Sequence, residues 1–288
     1  MIKYNPKSWV QLIFAFHKSD TMRILWKELI YIGLFTIGIA YVIITYFPDA
    51  TYLSNLTAVY SLVGFVISLL LVFRTNTAYD RWWEGRRKWG EMVNDSRNLA
   101  VKISTLQFDK EENNFFRRMI SNFVYATKEH LRRSINLDEL QLTPAERKIL
   151  NQKKHVPVEI IHLMFKHMNK LKSQGHLSEM EYLAINENLD SLMDSLGACE
   201  RILNTPIPYS YSLFLKKFIF IYTTTLPLAF VTTFGYISAL IATFVFYVLV
   251  SMEVLAEEIE DPFGTDDNDL PTDQLCATIR GNVDEVFG

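Results

Sequence analysis

Long stretches without charged residues divide this chain into apolar and polar parts. No charged residue occurs in residues 29–48 or 50–73. Each stretch is long enough for a helix that crosses a bilayer, which takes about 20 residues. A third charge-free stretch, residues 218–252, is too long for one span but fits two helices joined by a tight turn near Gly235. The pattern therefore predicts four transmembrane helices.

The polar segments around these spans indicate the domain organisation. We expect a cytoplasmic, interfacial N-terminal segment at residues 1–28, where aromatic and basic residues interleave. Transmembrane helices 1 and 2 fall in residues 29–73, and helices 3 and 4 in residues 218–256. Residues 74–217 form a large cytoplasmic helical domain, and residues 257–288 form an acidic cytoplasmic segment at the C-terminus.

The distribution of basic residues predicts the orientation. Residues 74–217 carry 23 Lys and Arg, and five more precede Leu29, whereas the connection after Pro48 and the turn at Gly235 carry none. Because Lys and Arg concentrate in cytoplasmic loops, both termini and the long middle segment are expected in the cytoplasm.

The long polar segment has the signals of helices and no alternating strand pattern. Thr143-Pro144-Ala145-Glu146 and Ser178-Glu179-Met180-Glu181 are both capping-box sequences, which start helices. Gly175 and Pro206 are expected to end helices. The predicted fold class is an all-α membrane protein.

Composition and charge exclude several classes of protein. Of the 288 residues 49% are hydrophobic and 21% are charged, and the formal net charge is -3. These values argue against a disordered chain and against a protein that binds nucleic acid through its phosphates. Cys199 and Cys276 lie too far apart for a CxxC metal motif, and two thiols do not make a disulfide framework.

Known catalytic signatures are also missing from the sequence. It contains no nucleotide-binding loop, HExxH, GxSxG or CxxC motif, and the predicted spans carry no ionisable residue. His162 and His167 lie five residues apart, which places them on different parts of a helix. We therefore expect no enzyme and no catalytic residues, and a passive pore, a sensor or a scaffold remains.

The second predicted span has two distinct faces. Small residues recur at three- and four-residue steps and suit close helix contact, namely Thr57, Ser61, Gly64 and Ser68. Phe65, Leu69 and Phe73 follow one another at four-residue steps on a face roughly 110° away. Periodicity alone leaves open whether these three pack against lipid or protein, or line a pore.

Two further stretches stand out beside the spans. Residues 73–90 read FRTNTAYDRWWEGRRKWG, in which tryptophans among basic residues are typical of an interfacial anchor. Residues 257–271 read EEIEDPFGTDDNDLP, which is either a solvated acidic turn or a site for a hard cation. The spacing of its carboxylates does not match an EF-hand.

These two runs, together with CERILNTPIPYSYS at residues 199–212, resemble the bestrophin family, in particular its short prokaryotic members. The resemblance covers nearly the whole chain. It implies a homopentameric ion channel in a bacterial inner membrane, with a central pore lined by the second span. Phe65, Leu69 and Phe73 match the hydrophobic neck of the family, and Met180 matches its cytoplasmic aperture.

The resemblance also bears on ions, cofactors and partners. It implies permeant monovalent ions, and the acidic C-terminal segment and the prokaryotic branch both favour cations. A chloride channel of the same fold, or a membrane-anchored scaffold without ion flux, is the alternative. Asp266, Asp267 and Asp269 match part of the calcium clasp of eukaryotic members, but no cofactor is expected to be required. The expected partners are further copies of the chain and membrane lipid, and not nucleic acid.

Overall fold

The computed structural model describes residues 21–288, and all regular secondary structure in that range is helical. The helices are α1 (Thr21–Tyr46), α2 (Leu56–Ser104), α3 (Lys110–Leu131), α4 (Pro144–Leu150), α5 (Val156–Ser173), α6 (Glu179–Asn204), α7 (Tyr209–Phe234), α8 (Ile237–Glu260) and α9 (Thr272–Phe287). A 3-10 turn, Thr51–Asn55, precedes α2. The all-α prediction is confirmed. The expected interfacial segment lies mostly outside the described residues.

The chain divides into two compact units. Unit 1 contains the described residues up to Trp82 together with Pro206–Asp261 and Asp266–Asn268. Unit 2 contains Trp83–Thr205, Pro262–Thr265 and Asp269–Gly288. Helix α2 therefore begins in unit 1 and ends in unit 2.

Four helices are long and apolar enough to cross a membrane, as the charge-free stretches predicted. Helix α1 has 26 residues and a length of about 39 Å, which exceeds the roughly 30 Å of a hydrocarbon core. Helix α2 has 49 residues and a length of about 74 Å. It continues without interruption past Phe73, the predicted end of the second transmembrane segment, to Ser104.

Unit 1 is held together by apolar contacts among its long helices. Ile67 and Leu71 of α2 are buried against Leu215 and Ile219 of α7, with Leu249 of α8. The turn between α7 and α8 is tight, because Gly235 has φ +55°, a conformation that side chains with a Cβ rarely adopt. This turn lies where the sequence predicted it.

Helix α3 forms the centre of unit 2, with α5, α6 and α9 packed on it. Its side chains Phe116, Met119, Ile120 and Phe123 are fully buried. Both predicted capping boxes are confirmed, one before α4 and one before α6. Gly175, with φ +77°, follows the end of α5 as expected.

Ion pairs attach the C-terminal helix α9 to α3. Asp273 lies 2.9 Å from Lys128 Nζ and 2.7 Å from Arg132 Nη2. The hydrogen bond from Arg132, with the one from Lys128, lowers the pKa of Asp273 to about 2. Cys276 of the same helix is buried, and its burial raises the pKa of the thiol to about 12.

Candidate functional site

Three apolar side chains form an exposed stripe on α2. The exposed fractions of Phe65, Leu69 and Phe73 are 66%, 44% and 56%. Because these residues follow one another at four-residue steps, their Cα atoms rise by about 6 Å from one to the next along one side of the helix. We call these three residues the neck stripe.

The opposite side of α2 is occupied by its own subunit. Ile67 and Leu71 alternate with the neck stripe along the helix and are almost completely buried. Tyr211 donates a hydrogen bond of 3.1 Å to the Leu70 carbonyl, and Tyr60 donates one of 3.0 Å to the Thr225 carbonyl. The packing of α2 on α7 and α8 therefore fixes which side of the helix the neck stripe occupies.

The small-residue stripe predicted for helix contact is divided between two roles. Gly64 lies so close to α7 that a Cβ at this position would come within 2.6 Å of the Tyr222 hydroxyl oxygen. Thr57 also contacts α7, through a bond of 3.4 Å from its hydroxyl to the Ala229 carbonyl. Ser61 and Ser68 are exposed and donate to carbonyls of α2 itself.

A buried ion cluster lies directly after the neck stripe. Arg74 is only 2% exposed. Its Nη2 atom lies 2.7 Å from a carboxylate oxygen of Glu260, and its Nε atom lies 3.6 Å from one of Glu253. The second oxygen of Glu260 accepts a hydrogen bond of 2.7 Å from the Ile207 backbone amide. The cluster therefore connects α2, the segment that precedes α7 and the end of α8.

Sequence reasoning missed this cluster, although one signal was present. Arg74 is the first charged residue after the apolar stretch of α2, and Glu253 is the first after the apolar stretch of α7 and α8. Charged residues that follow two adjacent apolar segments can form an ion pair between the helices when both lie at the same depth in the membrane. Without the packing order of the helices, however, the sequence does not show which charges meet.

Polar side chains continue the exposed side of α2 beyond the neck stripe. Asn76, Thr77 and Asp80 are all exposed. Asp80 follows Phe73 by seven residues and therefore lies on the same side of the helix. Arg87, seven residues later, is exposed as well and carries the opposite charge.

Met180 lies in the first turn of α6, in unit 2. Its side chain is 77% exposed and therefore contributes nothing to the core of its own subunit. The residues on either side are acidic, and one of them, Glu179, pairs with Lys172 at 2.8 Å. Hydrogen bonds from Ser178 lower the pKa of the other, Glu181.

The predicted calcium-clasp residues have different environments. Asp266 is exposed, Asp267 is half-buried, and Asp269 is buried. A Cβ at Gly264 would come within 2.6 Å of the Asp269 carboxylate, so this carboxylate occupies the space that a side chain would fill. Between residues 21 and 288, the group of three metal-ligand side chains whose ligand atoms converge is His130, His155 and Glu200, and it contains none of these aspartates.

Many carboxylates of the acidic C-terminal region are engaged in ion pairs. Eleven Asp and Glu residues follow Met252. Those paired with bases of the same unit are Glu253, Glu257, Glu260, Asp273 and Asp284. A count of the acidic residues in this region therefore overstates the negative charge that it offers to an ion in solution.

Comparisons with known proteins cover nearly the whole length of the chain. The family model described as Bacterial/Fungal Bestrophin protein matches residues 1–285. A voltage-dependent anion channel-forming protein from Nostoc sp. is 39% identical over 228 residues, which cover 77% of this chain and 74% of that protein. YneE of Escherichia coli, which has the same descriptive name, is 30% identical over 291 residues, covering 97% and 92%.

A solved structure shares the architecture. The crystal structure of a bacterial bestrophin homologue from Klebsiella pneumoniae matches with a TM-score of 0.81 at 29% sequence identity. The match covers 92% of this chain and 98% of that one.

Proposed function

This chain belongs to the bacterial and fungal bestrophin family of ion channels, and we propose that five copies surround a central pore lined by α2. The chain is therefore a channel protein and not an enzyme. One observation carries the pore proposal: the neck stripe is exposed on a helix whose opposite side is packed against its own subunit. In the proposed assembly the protein lies in the bacterial inner membrane, and both termini are on the cytoplasmic side.

The chemistry of the neck stripe supports a gate. Three apolar rings at spacings of about 6 Å would extend over about 12 Å of the pore. An ion that passes such rings loses water without gaining polar contacts, unless the rings widen. The neck would therefore control whether ions flow, and selectivity for the sign of the charge would come from elsewhere.

Two measurements test the assembly and the ion flux. The mass of the purified protein in detergent should correspond to five chains, and liposomes that contain it should show dye-monitored ion flux. A membrane-anchored scaffold would give an oligomer without flux. That result would remove the channel proposal for this chain and leave its fold and family unchanged.

Met180 is proposed to line a second constriction, on the cytoplasmic side. Replacing Met180 with alanine should widen the opening and raise the permeability of large ions relative to small ones, because an exposed thioether is lost. Reversal potentials measured under bi-ionic conditions, with an organic ion on one side and an alkali ion on the other, give this permeability ratio. Thermal stability should change little. Ile135→Ala, which removes another exposed apolar side chain of unit 2, is the matched control and should change neither quantity.

A large loss of stability in Met180→Ala with unaltered permeability would contradict the aperture. It would assign the side chain to packing between subunits instead.

The proposed permeant ions are monovalent cations. Support comes from Asp80 on the exposed side of α2 and from Glu181 beside Met180, since rings of carboxylates favour cations. Glu179, the other acidic neighbour of Met180, adds less because Lys172 pairs with it. The acidic C-terminal region adds less than its composition indicates, because much of it is paired. Anions are the second candidate, because the relatives are named anion channel-forming proteins and Arg87 is exposed on α2.

The sign of the permeant ion can be measured directly. In a bilayer with a potassium chloride gradient, the reversal potential should move toward the potassium equilibrium value. Asp80→Asn should shift it back toward zero, because five carboxylates are lost from the pore. Asp138→Asn, which removes an exposed carboxylate of unit 2, should have no effect. A reversal potential near the chloride value would select the anion candidate and leave the pore proposal intact.

No cofactor is part of the proposed mechanism. Calcium at Asp266, Asp267 and Asp269 remains an expectation from the eukaryotic members of the family, and the proposed gate does not depend on it.

A further inference from the structure

Unit 2 contains a cluster of metal-ligand side chains that the proposed channel mechanism does not use. His130 lies at the end of α3, His155 immediately precedes α5, and Glu200 lies on α6. Their ligand atoms all lie within 4.8 Å of one another. We propose that these three side chains bind a divalent transition-metal ion, and that Zn²⁺ is the ion that suits them.

The two imidazoles point at the same carboxylate oxygen. His130 Nε2 lies 2.6 Å and His155 Nε2 lies 2.7 Å from Glu200 Oε1, and the ring centroids are 4.2 Å apart. If these contacts are only hydrogen bonds, both Nε2 atoms must carry protons that converge on one oxygen. A cation between the three atoms would replace both protons, and each imidazole would then contribute a lone pair.

The type of ligand selects the metal. Two imidazole nitrogens and one carboxylate form a common ligand set for zinc, in which a water molecule occupies the fourth position. Calcium and magnesium prefer oxygen ligands and are poorly matched by two imidazoles. All three side chains are partly exposed, so water has access to the fourth position.

The two distances from the imidazole nitrogens to the Glu200 oxygen require only a small adjustment. Tetrahedral zinc with ligand bonds of 2.0–2.2 Å holds its ligand atoms about 3.3 Å apart. The Nε2–Oε1 distances would therefore open by about 0.6 Å, which rotation of partly exposed side chains supplies. His155 Nδ1 is buried and has no hydrogen-bond partner within residues 21–288. Because such partners commonly raise metal affinity by about 10- to 100-fold, we expect moderate affinity.

Binding at this site would have a structural consequence. The ligands come from three positions that are distant in the sequence but adjacent in unit 2, and they exist as a site only in the folded chain. Zinc should therefore stabilise the folded protein in proportion to its concentration, with an apparent unfolding constant that falls about 100-fold when free zinc is 100 times the dissociation constant.

The test uses the full chain, purified in detergent without an affinity tag and freed of metal. After equilibrium dialysis against zinc chloride, elemental analysis should find one zinc per chain, and the melting temperature should rise with zinc concentration. Magnesium and calcium chloride should not reproduce the shift. Cobalt(II) should give the intense visible absorption of a tetrahedral site, which a loosely bound surface ion lacks.

Variants separate a metal site from a hydrogen-bonded cluster. His130→Gln and His155→Gln should each lower zinc affinity at least about tenfold, as should Glu200→Gln, which keeps an oxygen acceptor but loses the charge. His162→Gln, at an exposed histidine of α5 outside the cluster, should bind zinc like the unmodified protein. Equal zinc binding by the His155→Gln and His162→Gln proteins would overturn the proposal. The proposal would also be overturned if the unmodified protein bound no zinc after dialysis.

Discussion

Replacement of Phe65, Leu69 and Phe73 together by alanine is expected to raise single-channel conductance about tenfold and to hold the channel open. A tenfold increase corresponds to a barrier lowered by about 1.4 kcal/mol. The expectation follows from the proposed pore, in which these three residues would form apolar rings where ions lose water. Planar-bilayer recordings of the purified oligomer measure both the conductance and the open probability.

Helix α8 offers a matched control for this triple variant. Leu240, Phe244 and Val248 are also exposed apolar residues at four-residue steps. Their joint replacement by alanine removes similar side chains from a helix that is not proposed to line the pore, so conductance should not change. If the neck variant assembles as a pentamer and its currents equal those of the unmodified protein, these three residues do not form the gate.

Replacement of Arg74 by methionine is expected to lower the free energy of unfolding by about 3–5 kcal/mol, because two carboxylates would remain buried without their cation. Methionine keeps most of the length of the side chain, so the decrease in the free energy of unfolding results mainly from the missing guanidinium charge. Equilibrium unfolding in mixed detergent micelles measures the change. The yield of assembled protein should fall with it.

Two further variants identify the cause of that loss. Arg201→Met breaks an ion pair between the exposed Arg201 and the partly exposed Glu84, and it should cost less than about 1 kcal/mol. Adding Glu253→Gln and Glu260→Gln to Arg74→Met should restore much of the lost stability, since no buried charge then lacks a partner. If Arg74→Met is no more destabilising than Arg201→Met, the buried cluster does not stabilise unit 1.

The sequence predicts the membrane architecture well because a bilayer imposes a simple rule. A spanning helix needs about 20 residues without charge, and the interruptions at Asp49 and Arg74 are therefore visible in one dimension. The turn at Gly235 and both capping boxes are equally local features. The continuation of α2 past Phe73 agrees with the interpretation of residues 73–90 as a helix that leaves the bilayer, but the end of that helix at Ser104 has no comparable signal in the apolar pattern.

The candidate sites differ in how far local sequence determines them. The neck stripe was visible as a periodic pattern, but its exposure depends on which side of α2 packs against α7 and α8. The proposed ligands His130, His155 and Glu200 have no common motif, and only the packing of α3, α5 and α6 brings them together. The prominent pair His162 and His167 does not form a site: His167 bonds to Glu112 and stacks on Phe115.

The buried position of Arg74 also affects the electrostatic potential that an ion in the proposed pore would meet just beyond the neck stripe. Five unpaired guanidinium groups there would create a positive potential and attract chloride. In each subunit, however, Glu253 and Glu260 lie beside Arg74, so two carboxylates accompany each guanidinium group. The basic residue closest to the neck stripe therefore provides no local attraction for anions.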